Sequence, residues 1–346
     1  MPEFSDLELL QERQQIWEMA QGFRQAQVLL TCVELGVFDA IAEGASSDTE
    51  IAAATQCDPR GMGLLLNTAT ALGLLEKSEN RFANSPLAVS CLVRGGAGYN
   101  ADSLKLQRAF YRRWGRLTDA VRTGQRPEED RRDESAGDWV RNFVYGVYDN
   151  ARPLAPVIAE ALSLSDERPL SLIDVGGCHA AYSMALARRH PLLTATVFEL
   201  PAVVPYAREI IAREGLADRV SVQEGDFQKQ ALGSGYDVAL VFGVLNGEPP
   251  AGRPALIRKV YDCLNPAGRI VLRDAVLDDD RAGPQEAALF ALQMLLATEA
   301  GGLDTRQDWT TWLVDAGFLP PTVITLPAEA GASLVVADKP AARVPS

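Results

Sequence analysis

A chain of 346 residues with 47% hydrophobic and 23% charged content has the length of roughly two domains and an ordinary globular balance. Its formal net charge of -13 repels phosphate backbones, which excludes an extended nucleic-acid surface but leaves room for one small cation in a local pocket. The five cysteines (Cys32, Cys57, Cys91, Cys178 and Cys263) form no CxxC pair, so neither a disulfide framework nor a zinc site is expected.

The opening MPEFSDLELLQERQQ lacks a positive region followed by an apolar run. No stretch reaches the ~18 apolar residues of a bilayer span, so a soluble cytoplasmic protein is expected. Residues 5–42 place Ile16, Met19, Phe23, Ala26, Leu30 and Val33 at three- to four-residue spacing, which predicts helix up to Gly44. Ser47 or Asp48 can cap a short helix with Glu50 in its first turn, and another runs from Pro59 to Leu72, where Gly73 breaks it. LLEKSENRFANSP predicts two short strands turning at Glu79 and Asn80. Helices followed by a small hairpin form a winged-helix pattern. Its candidate recognition helix, PRGMGLLLNTATAL, carries one arginine, and the hairpin adds only Lys77 and Arg81. That is too few cations for DNA, so a dimer or protein–protein role is expected.

Residues 100–165 are again helical, interrupted by the charged stretch QRPEEDRRDESAGD. The last of these helices carries Trp139, Phe143, Tyr145 and Tyr148, as core packing or as a pocket wall. From residue 171 the period changes. SLIDVG, LTATVFEL, RVSVQEGD, YDVALVFGVL and RIVLRDAVL are apolar strands separated by helices, the pattern of a doubly wound, mainly parallel sheet. TVITLPA and ASLVVAD are further strand candidates, suited to an antiparallel addition.

The strand ends hold the chemistry. The first reads Asp174, Val175, Gly176, Gly177, Cys178, His179, Ala180. Its glycines let a ligand approach the backbone, and the next helix offers free amides. The three-glycine pyrophosphate fingerprint is absent. The second strand ends at Glu199, placed to accept from ribose hydroxyls, and the third at Gly225, Asp226 and Phe227, placed to meet an adenine. Alone, Glu199 is equally a surface acid, Asp226 a helix cap and Phe227 core. Three such features at successive strand ends point together to a nucleoside.

These motifs resemble the S-adenosylmethionine-dependent O-methyltransferases that include caffeate and acetylserotonin enzymes and bacterial natural-product tailoring enzymes. The resemblance covers nearly the whole chain: LLTCVELGVFDAI, LIDVGGCHAAYSMALARRHP, VFELPAVVPYARE, RVSVQEGDF, LNPAGRIVLRDAV and WLVDAGF. It implies an α/β Rossmann-like class I methyltransferase domain behind a winged-helix-like dimerisation domain, a homodimer, and S-adenosyl-L-methionine as cofactor. It implies residues 1–98 for dimerisation, 99–165 for helices around the substrate, and 166–346 for the cofactor. Gly176 and Gly177, beside Asp174, would border the methionine part. Glu199 would hold the ribose and Leu200 the adenine edge, with Gly225, Asp226 and Phe227 flanking it. Many relatives bring a lysine from the fourth strand; here Phe242 stands there, followed by Gly243.

The family's base is a histidine after the fourth strand. This chain reads VLNGEPP, with Asn246 at that place and Glu248 two residues on. Asparagine orients but cannot take a proton. Glu248, if its loop folds inward, or Asp274 at the end of the fifth strand, with a raised pKa, are the candidate bases. Of the two histidines, His179 lies in the glycine turn and His190 reads as the surface end of a helix. Asp304 stands near the acid that supports the histidine in relatives. Three chemistries follow: methylation of an easily ionised hydroxyl of a small aromatic or polyketide-like secondary metabolite, methylation of carbon or nitrogen, or non-methylating chemistry such as hydroxylation or cyclisation. An inactive dimeric interaction protein is the remaining possibility. Trp139, Phe143, Tyr148, Met294 and Leu295 are the candidate substrate walls, and Asn246 the polar contact. No metal-ligand cluster is apparent.

Overall fold

The computed structural model describes residues 5–127 and 136–342. The chain divides into two compact units, Met1–Arg108 and Ala109–Ser346.

The first unit holds α1 (Asp6–Gln21), α2 (Phe23–Glu34), α3 (Val37–Ala42), α4 (Asp48–Ala54), α5 (Pro59–Ala71), the hairpin β1 (Leu75–Ser78) and β2 (Arg81–Asn84), and α6 (Pro86–Cys91). The helix expected over residues 5–42 is three helices, because the chain turns at Gly22 and again at Gly36, whose φ is 72°. Ser47 caps α4 in a box with Glu50, and Asp58 caps α5 ahead of Pro59. Phe38, Ile51, Met62, Leu66 and Phe82 form this unit's core. α1 has no buried residue, and its Leu7, Leu10, Ile16, Trp17 and Met19 are all exposed.

The division falls within α7 (Ala101–Trp114), which is followed by α8 (Leu117–Thr123) and α9 (Ala136–Leu162). A seven-stranded sheet then forms from β3 (Leu170–Val175), β4 (Leu193–Glu199), β5 (Val220–Glu224), β6 (Tyr236–Phe242), β7 (Leu264–Arg273), β8 (Thr322–Ile324) and β9 (Leu334–Asp338). Its order is β5-β4-β3-β6-β7-β9-β8. Strands β3 to β7 pair in parallel, while β9 pairs antiparallel with both neighbours.

Alternate strand residues feed two cores, as a sheet buried on both faces requires. Leu172, Val197 and Leu240 face the cluster shared with α9, α10 (Ala181–Arg189) and α11 (Val204–Arg213). Ile173, Ala239 and Val241 face the one shared with α12 (Gly252–Cys263) and α14 (Arg306–Ala316). Between them in sequence, α13 (Gln285–Ala297) packs a smaller cluster with Leu277 and Leu303. Since β3 lies between β4 and β6, the chain winds outward in both directions from β3. That switch opens a crevice at the carboxyl ends of the strands, where the candidate residues lie.

His190 corrects the surface reading made from sequence. It is 2% exposed, with Nδ1 2.7 Å from Asp166. The connection from α9 to β3 brings Asp166 over the end of α10, a long-range contact that local periodicity does not encode. Among the described residues, no helix is long and apolar enough to cross a membrane.

Candidate active site

The first wall of the crevice is the turn after β3. Gly176 takes a φ of 65°, and a Cβ there would meet Val244 Cγ2 at 2.8 Å. A Cβ at Gly177 would lie 2.4 Å from Asp174 Cγ. Both positions therefore need glycine, the first for conformation as well as space. Gly176 donates its N–H to the Phe198 carbonyl and Gly225 donates to the Glu199 carbonyl, each at 2.9 Å, which ties the ends of β3, β4 and β5 together.

Two carboxylates face this turn. Asp174 Oδ2 accepts from Ser183 Oγ at 2.7 Å, while Oδ1 is buried without a hydrogen-bond partner. Burial pushes the Asp174 carboxyl up to about 7, with Glu199 adding to the rise. Glu199 accepts the N–H of Cys178 at 3.0 Å and of Leu200 at 2.7 Å, and burial raises its pKa. An orphaned carboxylate oxygen in a negative crevice suits a cationic ligand that brings donors. Leu200 is exposed beside it.

At the end of β5, a Cβ on Gly225 would meet Phe198 Cζ at 2.3 Å. Asp226 pairs with Lys229 Nζ at 2.8 Å and accepts the Gln228 N–H at 2.9 Å, and the lysine leads in holding its pKa down. Phe227 is half-buried at the margin of the second core. Phe242 packs edge-on against Tyr182 with centroids 4.9 Å apart, and Gly243 follows it with a φ of 66°.

The turn after β6 is a short 3-10 segment, Leu245–Gly247. Asn246 donates Nδ2 to Asp274 Oδ1 at 2.7 Å, and its backbone N–H reaches Asp274 Oδ2 at 3.3 Å. Among the described residues nothing donates to Asn246 Oδ1, so the amide presents its acceptor. Burial pushes Asp274 up to about 6, against the opposing pull of the Asn246 amide. Glu248 is buried and has folded inward, but both its oxygens take hydrogen bonds from Gln228 Nε2, at 2.9 and 3.1 Å. Asp304 is paired with Arg253 and also receives Trp309 Nε1 at 3.4 Å. His179 Nδ1 accepts the Ala181 N–H at 3.1 Å, and burial lowers its pKa to about 4. It is neutral at physiological pH and holds the start of α10.

Residues 140–319 match the O-methyltransferase domain and residues 17–94 the O-methyltransferase dimerisation domain. The chain is 32% identical to a 3-hydroxy-5-methyl-1-naphthoate 3-O-methyltransferase of Streptomyces sahachiroi, over 92% of this chain and 93% of that one. The chain belongs to the O-methyltransferase family. The Streptomyces glaucescens tetracenomycin polyketide synthesis 8-O-methyl transferase is 30% identical over 88% of this methyltransferase and 90% of its own length. Human N-acetylserotonin methyltransferase in complex with S-adenosylmethionine superposes with a TM-score of 0.83 at 27% identity, over 98% of this chain and 100% of that one. The enzyme is thus an S-adenosylmethionine-dependent methyltransferase with a Rossmann-like catalytic fold and a helical dimerisation domain.

The crevice fits that cofactor. Asp174 and Glu199 match a sulfonium-bearing ligand in charge, and the orphaned Asp174 oxygen awaits a donor. The methyltransferase scatters its candidate substrate walls more widely. Trp139 and Phe143 are half-buried neighbours with ring centroids 6.2 Å apart, and Arg113 lies 4.3 Å over Trp139. Met294 is buried and Leu295 half-buried on α13. Tyr148 is a core residue: its hydroxyl donates to Glu214 at 2.8 Å, and its ring lies 6.0 Å from His179. Sequence reading missed Arg253, Gln228 and Gln293. Gln293 is buried on α13, accepts Trp114 Nε1 at 2.6 Å, and leaves its own Nε2 without a partner. A polar residue inside the apolar run AALFALQMLLATEAGG is the one signal that marks it.

Proposed function

We propose that this enzyme methylates a hydroxyl of a small aromatic or polyketide-like natural product without a histidine base. The observation that carries the reading is the Asn246 amide. Its Nδ2 is committed to Asp274, so Oδ1 is the atom left to receive a proton-bearing acceptor. The naphthoate and tetracenomycin relatives, whose names give hydroxyl acceptors on fused aromatic systems, support the substrate class.

S-adenosylmethionine, when bound, supplies an electrophilic methyl group on a good leaving group. The protein then has to orient the acceptor and dispose of one proton. The acceptor O–H donates to Asn246 Oδ1, which aims the oxygen lone pair. As the carbon–oxygen bond forms, that proton becomes strongly acidic and leaves toward Asp274 or solvent. Asp274, with a pKa of about 6, is ionised at neutral pH and stands directly behind Asn246. A carboxylate in that place favours a neutral hydroxyl over a pre-ionised one. Glu199 holds the ribose, Gly176 and Gly177 admit the methionine part beside Asp174, and Gly225, Asp226 and Phe227 flank the adenine with Leu200. Trp139, Phe143, Met294 and Leu295 wall the acceptor. Residues 1–98 serve association into a homodimer, 99–165 supply helices around the acceptor, and 166–346 hold the cofactor. The apolar, uncovered face of α1 supports that dimer.

The test is methyl transfer from S-adenosylmethionine to matched naphthols, aminonaphthalenes and non-hydroxylated naphthalenes, read by mass. A methyl ether from the neutral naphthols alone is expected. Product from the amines alone would move the reading to nitrogen, and no product with intact S-adenosylhomocysteine binding would move it away from aromatic acceptors.

A further inference from the structure

We propose that Arg253 is a positioning residue: paired with Asp304, it clamps the turn that presents Asn246 to the acceptor. The inference rests on the reading of Asn246 given above. Arg253 sits in the first turn of α12 yet is only 6% exposed. A buried guanidinium is costly unless every donor is used in good geometry. Here one face of the fork is paired with Asp304 and Nε donates to the Glu248 carbonyl at 3.0 Å. The Glu248 carbonyl closes the Leu245–Gly247 turn, so the guanidinium holds one end of it.

The partner strand of the chain holds the rest. Gly302 donates its N–H to the Asn246 carbonyl at 2.8 Å. A Cβ on Gly302 would lie 3.3 Å from Arg253 Nη2, so the absence of a side chain lets the guanidinium and this backbone share the space. Asp304, two residues on, accepts Arg253 through its carboxylate, and its carbonyl accepts the Leu277 N–H at 2.9 Å. Arg253 therefore joins the Asn246 turn to the 301–304 segment, and Asp274 fixes the amide from below. The charged groups that face this cluster are Asp274 after β7, Asp304 and Asp308 at α14, Arg281 (paired with Asp308 at 2.7 Å) and Glu248. Where Asp304 has no histidine to support, Arg253 gives it a different task.

The experiment needs no acceptor substrate. Backbone hydrogen exchange is followed in the full chain with S-adenosylhomocysteine, for the parent, Arg253→Lys and Asp304→Asn. Exchange of the 246–248 and 302 amides is expected to rise at least about tenfold in both variants, beyond any change in β3, the scale set by loss of a charge-assisted hydrogen bond in a local opening. In parallel, the Asp274 carboxyl is titrated by carbon NMR. It is expected to fall in Asp304→Asn, which removes a like charge, and to rise in Arg253→Met, which leaves that charge uncompensated. Should Arg253→Met not fold, the other two variants still decide. Unchanged local exchange in both, or exchange that rises equally in β3, overturns the proposal; a failure of Asn246 to act on the acceptor would leave these readouts as expected and is seen only in turnover.

Discussion

Asn246 and Asp274 divide between them what a single histidine does in relatives with a base: one aims the acceptor and the other carries negative charge. Asn246→Ala is expected to lower kcat/KM about tenfold, the worth of one substrate hydrogen bond. Its pH–rate profile should keep its shape, since no proton-taking group is removed; a profile that loses its acidic limb would make Asn246 part of the titrating unit. Asp174 sets a second pH dependence. Its folded pKa of about 7 lies above the usual ~3.9 of an unfolded chain. Between those values the folded state binds the extra proton, so the cofactor-free chain loses stability as pH rises from about 4 to about 7, and no further above it. Asp274 acts the same way up to about 6. Melting temperature of the cofactor-free enzyme should therefore fall across this range, and less steeply in Asp174→Asn. An identical slope in that variant would contradict the burial of an uncompensated carboxyl. At this scale the sequence makes Glu199, Asp226 and the glycine pair legible, because strand ends and turn glycines are local signals. Tyr148 was not: spacing places it on a helix but does not say that its hydroxyl meets Glu214, 66 residues away.

Elements turn those residues into a site. The β3 turn admits no side chain at position 177, where a Cβ would collide with Asp174. Gly177→Ala is expected to weaken S-adenosylhomocysteine binding at least tenfold in a titration and to cost about 1–3 kcal/mol of stability by overpacking. Full affinity in that variant would show that the turn can move aside. The first turn of α12 carries the buried pair with Asp304. Removing one partner, as in Arg253→Met, should destabilise the fold by about 3–5 kcal/mol, while Arg253→Met with Asp304→Leu should recover most of that loss. Chemical denaturation of the single and double variants measures it, and additive losses would contradict the pairing. Sequence reading places α12 correctly and still misses Arg253. An arginine at a helix start reads as a solvated charge, and only the return of residues 301–304 over β6 buries it. The alternation of Leu172 and Ile173 between two cores, by contrast, is written in the strand itself.

At the scale of the whole molecule, the alternating strands and helices specify the parallel sheet and its antiparallel edge, because each strand must be buried on both faces. The uncovered apolar residues of α1 call for a partner, which a monomer cannot supply. Light scattering at micromolar concentration should give twice the chain mass, and Ile16→Glu with Trp17→Glu should lower it; a one-chain mass in the parent would remove the dimer. The account as a whole stands on the crevice at the switch point holding the cofactor with its sulfur toward Asn246. A crystal structure with S-adenosylhomocysteine tests it most directly. The ribose hydroxyls are expected on Glu199, the adenine beside Asp226 and Phe227, and the sulfur facing Asn246 Oδ1 across open space. A ligand bound elsewhere, or a sulfur walled off from Asn246 by protein, would contradict it.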